Sequence, residues 1–189
     1  IDKLKITKNK FFVVSAHREE NISNSRNLNG LIDSLNQIAE LYNFPIIVSA
    51  HPRTRNMIND KEIKTHKNIH ILKPLGFSDY NCLQMNSFAV LSDSGTINEE
   101  SSILNFRALN LRDAHERPEA MEEASVMMVG MNTDRIIQGL TELSRQEITE
   151  NRNFREVSDY SMPNVSLKLV RIIISYVDYV NQNIYKKFN

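Results

Sequence analysis

The chain has 189 residues, enough for one substantial buried core and too few for two comfortable domains. Lys plus Arg and Asp plus Glu each number 23, so the formal net charge is zero and no electrostatic footprint for nucleic acid or an anionic membrane is visible. The single cysteine, Cys82, excludes an internal disulfide and a cysteine-built metal site, and reads as a small buried apolar residue.

Ile1–Lys10 is lysine-rich but lacks the apolar core and small-residue cleavage site of a signal peptide. No apolar run approaches the roughly 20 residues that span a bilayer, so the expected location is cytoplasmic. The first residue is not Met and a strong strand follows almost at once, the pattern of an excised domain or fragment.

Phe11–Ala16 is a short continuous apolar run, and runs of the same type recur at Pro45–Ala50, Ile69–Leu72, Phe88–Ser92, Ala108–Leu111 and Val126–Val129. Such runs suit strands buried on both faces. Between the first two, Leu28, Leu31, Ile32, Leu35, Ile38, Ala39 and Tyr42 form the stripe of an amphipathic helix. Further helical patterns cover Arg53–Asp60, Ser78–Asn86, Ser94–Leu104 and Thr133–Leu143. This alternation predicts an α/β fold with a Rossmann-like, doubly wound parallel sheet. Arg145–Asp159 is the most polar stretch and reads as a solvated helix or loop. After the turn signal Met162-Pro163-Asn164, a long closing helix is expected over 165–187.

In an open parallel sheet, ligands bind beyond the carboxyl ends of the strands. Here those ends carry His17-Arg18-Glu19-Glu20-Asn21, His51-Pro52-Arg53-Thr54-Arg55, Asp93-Ser94-Gly95-Thr96 and Arg112-Asp113-Ala114-His115-Glu116-Arg117. Any one of them alone is an ordinary solvated loop; together they point to a site. Ser94-Gly95-Thr96, between a strand and a helix, can offer free N–H groups and the helix dipole to a phosphate oxygen, and is equally an N-cap without a ligand. Glu99 and Glu100, in the first turns of that helix, either compensate its dipole or accept ribose hydroxyls. Arg112 and Arg117 either make forked contacts to a diphosphate or pair with Glu116 and Glu119. His17 is a proton shuttle, a phosphate donor or a structural histidine.

Ser15–Asn21, His51–Arg55, Asp93–Glu100 and Arg112–Glu119, in this order, resemble the UDP-N-acetylglucosamine 2-epimerase family of the non-hydrolysing kind. The resemblance covers nearly the whole chain. It implies the C-terminal, UDP-binding half of a two-domain GT-B-type fold, comprising residues 1–189, whose closing helix crosses to an absent N-terminal domain.

The same resemblance implies roles for individual residues. His17 is catalytic or positions substrate, with Arg18 near the diphosphate or a second, regulatory UDP-sugar site that His51 also touches. Tyr80 lies against the uracil and the backbone around Leu75 reads its edge. Ser94, Gly95 and Thr96 form the diphosphate loop, Glu100 is the ribose carboxylate, and Arg112 is a further nucleotide contact.

Departures from the common pattern are Thr96 for a second glycine, Glu19 for arginine, Ala114-His115 for a Thr-Thr pair, and Arg107 for proline. Ser92–Phe106 with Ala114–Glu119 is closer to the branch that acts on UDP-2-acetamido-2,6-dideoxy-L-talose and forms UDP-N-acetyl-L-fucosamine for capsule or O-antigen. The implied chemistry is C2 inversion by UDP elimination and re-addition, with the acid and base carboxylates largely in the absent domain, so that this chain alone is inactive. The implied partners are UDP, UDP-N-acetylhexosamine, that domain and a second copy in a homodimer. No cofactor or metal is expected. A GT-B glycosyltransferase, a hydrolysing relative and a UDP-sugar-binding module without activity remain open at this point.

Overall fold

The computed structural model of the chain describes residues 1–16, 25–50, 52–60, 63–114, 116–146 and 152–187. The chain divides into two units, Ile1–Val157 and Ser158–Asn189.

In the first unit the strands are β1 (Phe12–Ser15), β2 (Ile46–Ser49), β3 (Ile69–Leu72), β4 (Ala89–Ser92), β5 (Ala108–Asn110) and β6 (Met127–Met128). They form one six-stranded sheet in the order β3-β2-β1-β4-β5-β6. Every pairing is parallel, from Val13↔Ile47 and Val13↔Val90 to Leu109↔Met127. The expected doubly wound sheet is therefore present, and its order reverses between β1 and β4. The helices of this unit are α1 (Ser25–Tyr42), α2 (Pro52–Asp60), α3 (Phe77–Asn86), α4 (Ile97–Leu104), α5 (Pro118–Glu122) and α6 (Thr133–Ser144).

Alternation along the strands divides the core in two. On one face Phe12, Val14, Val48, Leu91 and Leu109 pack with Leu28, Leu31, Ile32, Leu35 and Ile38 of α1 and with Ile136, Leu140 and Leu143 of α6. The apolar stripe read in the sequence is thus the buried stripe of α1. Asn43 closes α1 in the left-handed region at φ 52°, its N–H donating to Ala39 O at 3.0 Å. On the other face Val13, Ile47, Val90 and Ala108 pack with Leu83 of α3 and Ile97 of α4.

Some expectations are corrected. Helix α4 begins at Ile97, because Ser94–Thr96 forms the turn before it, held by Ser94 Oγ and Thr96 Oγ1 at 2.9 Å. Helix α5 has no apolar stripe to announce it; Pro118 at its first position and the fully buried Ala120 define it. Cys82 is exposed rather than buried, since Leu83 and Gln84 are the residues that α3 turns inward. The polar stretch after Arg145 is not simply solvated. Arg152 donates to the carbonyls of Ser102 and Ile103 near the end of α4, and Val157 is buried, its N–H on Ser102 Oγ. Arg107 does not leave its turn loose: the guanidinium lies 5.3 Å over the Phe88 ring and donates to Gln146 O.

The second unit contains α7 (Val165–Asn183), which ends short of the expected 187 and has no buried residue. Val165, Leu169, Ile172, Ile173, Tyr176 and Val177 are all exposed.

Candidate functional site

The last residues of the strands change character on one face only. Ser15, Ser92 and Asn110 stand side by side in register, and Ser49 follows Val48, which pairs with Val14. All four are buried and lie two residues beyond the apolar set Val13, Val90, Ala108 and Ile47. Beneath α3 and α4, the core therefore gives way to a polar layer at the carboxyl edge, next to the point where the strand order reverses. On the α1/α6 face Ala16, Ala50 and Leu111 stay apolar to the end.

Helix α3 contributes two side chains to this layer. The Tyr80 hydroxyl hydrogen-bonds Ser15; burial pushes its pKa up to about 12, a shift that this bond opposes and the charges of Glu100 and Asp93 reinforce. Gln84 is completely buried, and its Nε2 donates to Glu100 Oε2 at 2.7 Å. Leu75, in the turn before α3, packs on the Val13/Val90 side of the core. A buried amide thus holds Glu100 at the edge of the sheet.

The turn into α4 is built by short-range bonds. Ser94 N–H donates to Ser92 Oγ at 3.1 Å, Thr96 N–H to Ser94 Oγ at 3.3 Å, and Asn98 Nδ2 to Gly95 O at 2.9 Å. Asn98 is itself buried. The turn is fixed from below, and the amino end of α4 is the positive end of its dipole.

The two neighbouring carboxylates of α4, which sequence alone leaves equivalent, have different partners. Glu100 turns to Gln84, whereas Glu99 accepts from Arg117 Nε at 2.5 Å. Arg117 Nη1 is also 3.8 Å from Glu116, and Glu116 binds Arg112 Nη2 at 2.7 Å. Arg112, the expected nucleotide contact, is paired in the way its alternative reading held, with 9% of its side chain exposed.

Ser94, Gly95, Thr96, Glu100, Tyr80, Leu75 and Arg112 are thus grouped at the carboxyl edge of β1, β4 and β5 or on α3 and α4. His17, Arg18 and His51 lie outside the described residues. Sequence reading passed over Gln84, Asn98 and Asn110. The available signal was a polar side chain at a position that the local periodicity assigns to the interior, clearest at Asn110 within Ala-Leu-Asn-Leu.

A cavity of about 170 Å³ lies elsewhere, lined by Phe106, Arg107, Val126 and Arg152. Arg107 and Ala108 belong to the amino end of β5, so this cavity is remote from the polar layer. Among the described residues, no group of His, Cys, Asp and Glu could hold a metal ion, and no helix is long and apolar enough to cross a membrane.

The family model described as UDP-N-acetylglucosamine 2-epimerase matches residues 1–174. The chain belongs to the UDP-N-acetylglucosamine 2-epimerase family. A solved structure of a UDP-N-acetylglucosamine 2-epimerase from Rickettsia bellii is 41% identical and superposes with a TM-score of 0.85, covering 98% of this chain and 50% of that one. The UDP-N-acetylglucosamine 2-epimerase of Methanocaldococcus jannaschii is 30% identical over 86% of this chain and 44% of its own. A crystal structure of the M. jannaschii enzyme in complex with UDP-GlcNAc and UDP superposes with a TM-score of 0.77 at 28% identity, covering 91% of this chain and 47% of that one. The chain thus spans about half the length of the relatives it matches. Family membership gives the polar layer a context: these relatives share its fold, and one of them holds a uridine nucleotide.

Proposed function

We propose that this chain is the C-terminal, UDP-binding half of a non-hydrolysing UDP-N-acetylhexosamine 2-epimerase with a GT-B-type architecture. The observation that carries the proposal is Glu100, fixed by the fully buried Gln84 beside the Ser94–Thr96 turn at the carboxyl edge of the sheet. A carboxylate with one oxygen held can accept ribose hydroxyls with the other, while the turn and the amino end of α4 receive the diphosphate. Tyr80 and Leu75 border the base, Arg112 is a further nucleotide contact, and His17 and Arg18 complete the diphosphate end. Arg18 and His51 belong to a second UDP-sugar site.

In the reaction a base removes the C2 proton while the bond from C1 to the UDP oxygen breaks, giving a glycal and UDP. UDP then adds back to C1 as a proton reaches C2 from the opposite face. UDP is a leaving group and then a nucleophile, so holding it in place between the two steps is part of catalysis. The acid and base carboxylates belong to an N-terminal domain onto which α7 crosses, and the exposed apolar side chains of α7 fit such a partner surface. This half alone is inactive, and the complete protein acts as a cytoplasmic homodimer. Ser92–Phe106 and Ala114–Glu119 support UDP-N-acetyl-L-fucosamine formation for capsule or O-antigen as the specific role.

The test is to incubate the full-length polypeptide with UDP-N-acetylhexosamines in deuterated water. The expected result is the C2 epimer, deuterated at C2, with the nucleotide retained. Released free sugar would mark a hydrolase, turnover that depends on an acceptor would mark a glycosyltransferase, and binding without turnover would mark a non-catalytic module.

A further inference from the structure

Arg117 is the cation that stands against the Ser94–Thr96 turn. A Cβ built on Gly95 would lie 2.8 Å from Arg117 Nη1, 3.3 Å from Cζ and 3.6 Å from Nη2. Gly95 does not have the positive φ that favours glycine, so backbone conformation does not require a glycine there. Among the neighbours of that missing Cβ, the guanidinium is what comes closest.

The local sequence explains how Arg117 is aimed. Pro118 confines the residue before it to extended backbone, and Arg117 adopts φ −136°, ψ 76°. The carbonyl of Arg117 accepts from Ala120 N–H at 3.2 Å, and Ala120 is wholly buried, so the short α5 is anchored behind the arginine. From there the side chain reaches α4. Nε is committed to Glu99, which leaves the forked Nη1 and Nη2 edge turned toward Gly95. With 27% of its side chain exposed against 9% for Arg112, Arg117 is the more open of the two guanidinium groups.

We infer that Arg117 is a specificity-determining residue for the diphosphate: its Nη edge, oriented by Glu99 and admitted by the absent side chain at Gly95, binds phosphoryl oxygens delivered to the Ser94–Thr96 turn. Planar forked donors suit a phosphoryl group, and the pair with Glu99 fixes the plane of the fork before the ligand arrives. Gly95 is a glycine so that Arg117 can stand there. This inference rests on the uridine-nucleotide reading of the site.

The test is titration of the full-length protein with UDP and with uridine, for wild type, Arg117→Gln and Arg117→Lys. Gln keeps much of the bulk that a truncation would lose, and Lys keeps the charge without the fork. Saturable UDP binding by wild type, with the UDP-over-uridine affinity ratio falling about tenfold or more in Arg117→Gln and partly in Arg117→Lys, is expected for loss of a charge-assisted bond. A purely structural arginine would weaken UDP and uridine by the same factor, and that outcome, or an unchanged ratio, overturns the inference while leaving the UDP site in place. Wild type that binds no UDP overturns the site reading and the inference with it.

Gly95→Ala supplies an independent check, because the displaced group is the flexible end of a side chain and the fold can absorb the change. Its effect on UDP affinity should be large in wild type and at least tenfold smaller in the Arg117→Gln background. Equal effects in both backgrounds would show that Gly95 serves something other than Arg117.

Discussion

The two faces of the sheet end differently. Under α1 and α6, buried apolar residues run through to Ala16, Ala50 and Leu111 past the strand ends. Under α3 and α4, the last residues of the central strands and of β5 are Ser49, Ser15, Ser92 and Asn110, equally buried. An apolar face stabilises by removing area from water, whereas a buried polar layer costs free energy unless its groups find partners. The contrast teaches that stability and ligand recognition are allotted to opposite faces of one sheet, with the strand backbone as their shared boundary.

The sharpest way to break this comparison is to damage the apolar face and watch the other. Leu140 of α6 is fully buried there. Leu140→Ala should lower stability by about 2–5 kcal/mol through lost transfer energy and a residual cavity. Chemical denaturation will measure that loss, and UDP affinity of the folded variant should be unchanged. A parallel fall in affinity would mean that the faces are not separable.

On the polar face, Glu100→Ala should weaken UDP by about 1.5–3 kcal/mol, the range for hydrogen bonds to a charged group. Gln84→Leu sharpens the point, since it removes the buried donor that holds Glu100 while filling much the same space. The expected result is a smaller preference for UDP over 2′-deoxy-UDP with the fold retained. If both nucleotides weaken alike, Gln84 serves packing rather than the carboxylate.

Asn110 tests whether the layer is a stability cost. Neither its Nδ2 nor its Oδ1 has a hydrogen-bond partner among the described residues, and it is fully buried. Asn110→Val, a β-branched residue suited to a strand, should raise stability by about 1 kcal/mol by removing an unpaired amide. A lower melting temperature would mean that a buried water satisfies the amide in the native protein.

The division between faces also explains what was legible in the sequence. Continuous apolar runs and the stripe from Leu28 to Tyr42 reveal strands and α1 because burial on a periodic element repeats in the sequence. Ser94–Thr96 and Glu100 were legible because a strand followed by a small polar turn and a helix is a local signal. Gln84 was not, because its importance comes from Glu100, distant along the chain but 2.7 Å away in space. For the same reason the sequence leaves Glu99 and Glu100 indistinguishable, although one pairs with Arg117 and the other with Gln84. The misreading of Cys82 has a related cause: α3 is short and weakly amphipathic, so composition alone does not tell which of its residues face inward.

Tyr80 gives the smallest effect and the most specific signature. Its pKa is raised from 10.0 to about 12, chiefly by burial, so the folded protein keeps this proton where the unfolded chain has released it. The sign follows: the unfolded state binds fewer protons between those two values, so stability falls as pH rises from about 10 toward 12 and is fully present below that window. At neutral pH the phenol is protonated and can act as a donor. Tyr80→Phe should cost about 0.5–1.5 kcal/mol, the scale of one neutral hydrogen bond to Ser15. It should also flatten the alkaline decline in unfolding free energy by up to one proton's worth of slope. An undiminished slope in the variant would assign the alkaline titration to another group and remove Tyr80 from the buried layer, while a flattened slope with unchanged UDP affinity would confine its hydroxyl to holding β1 against α3.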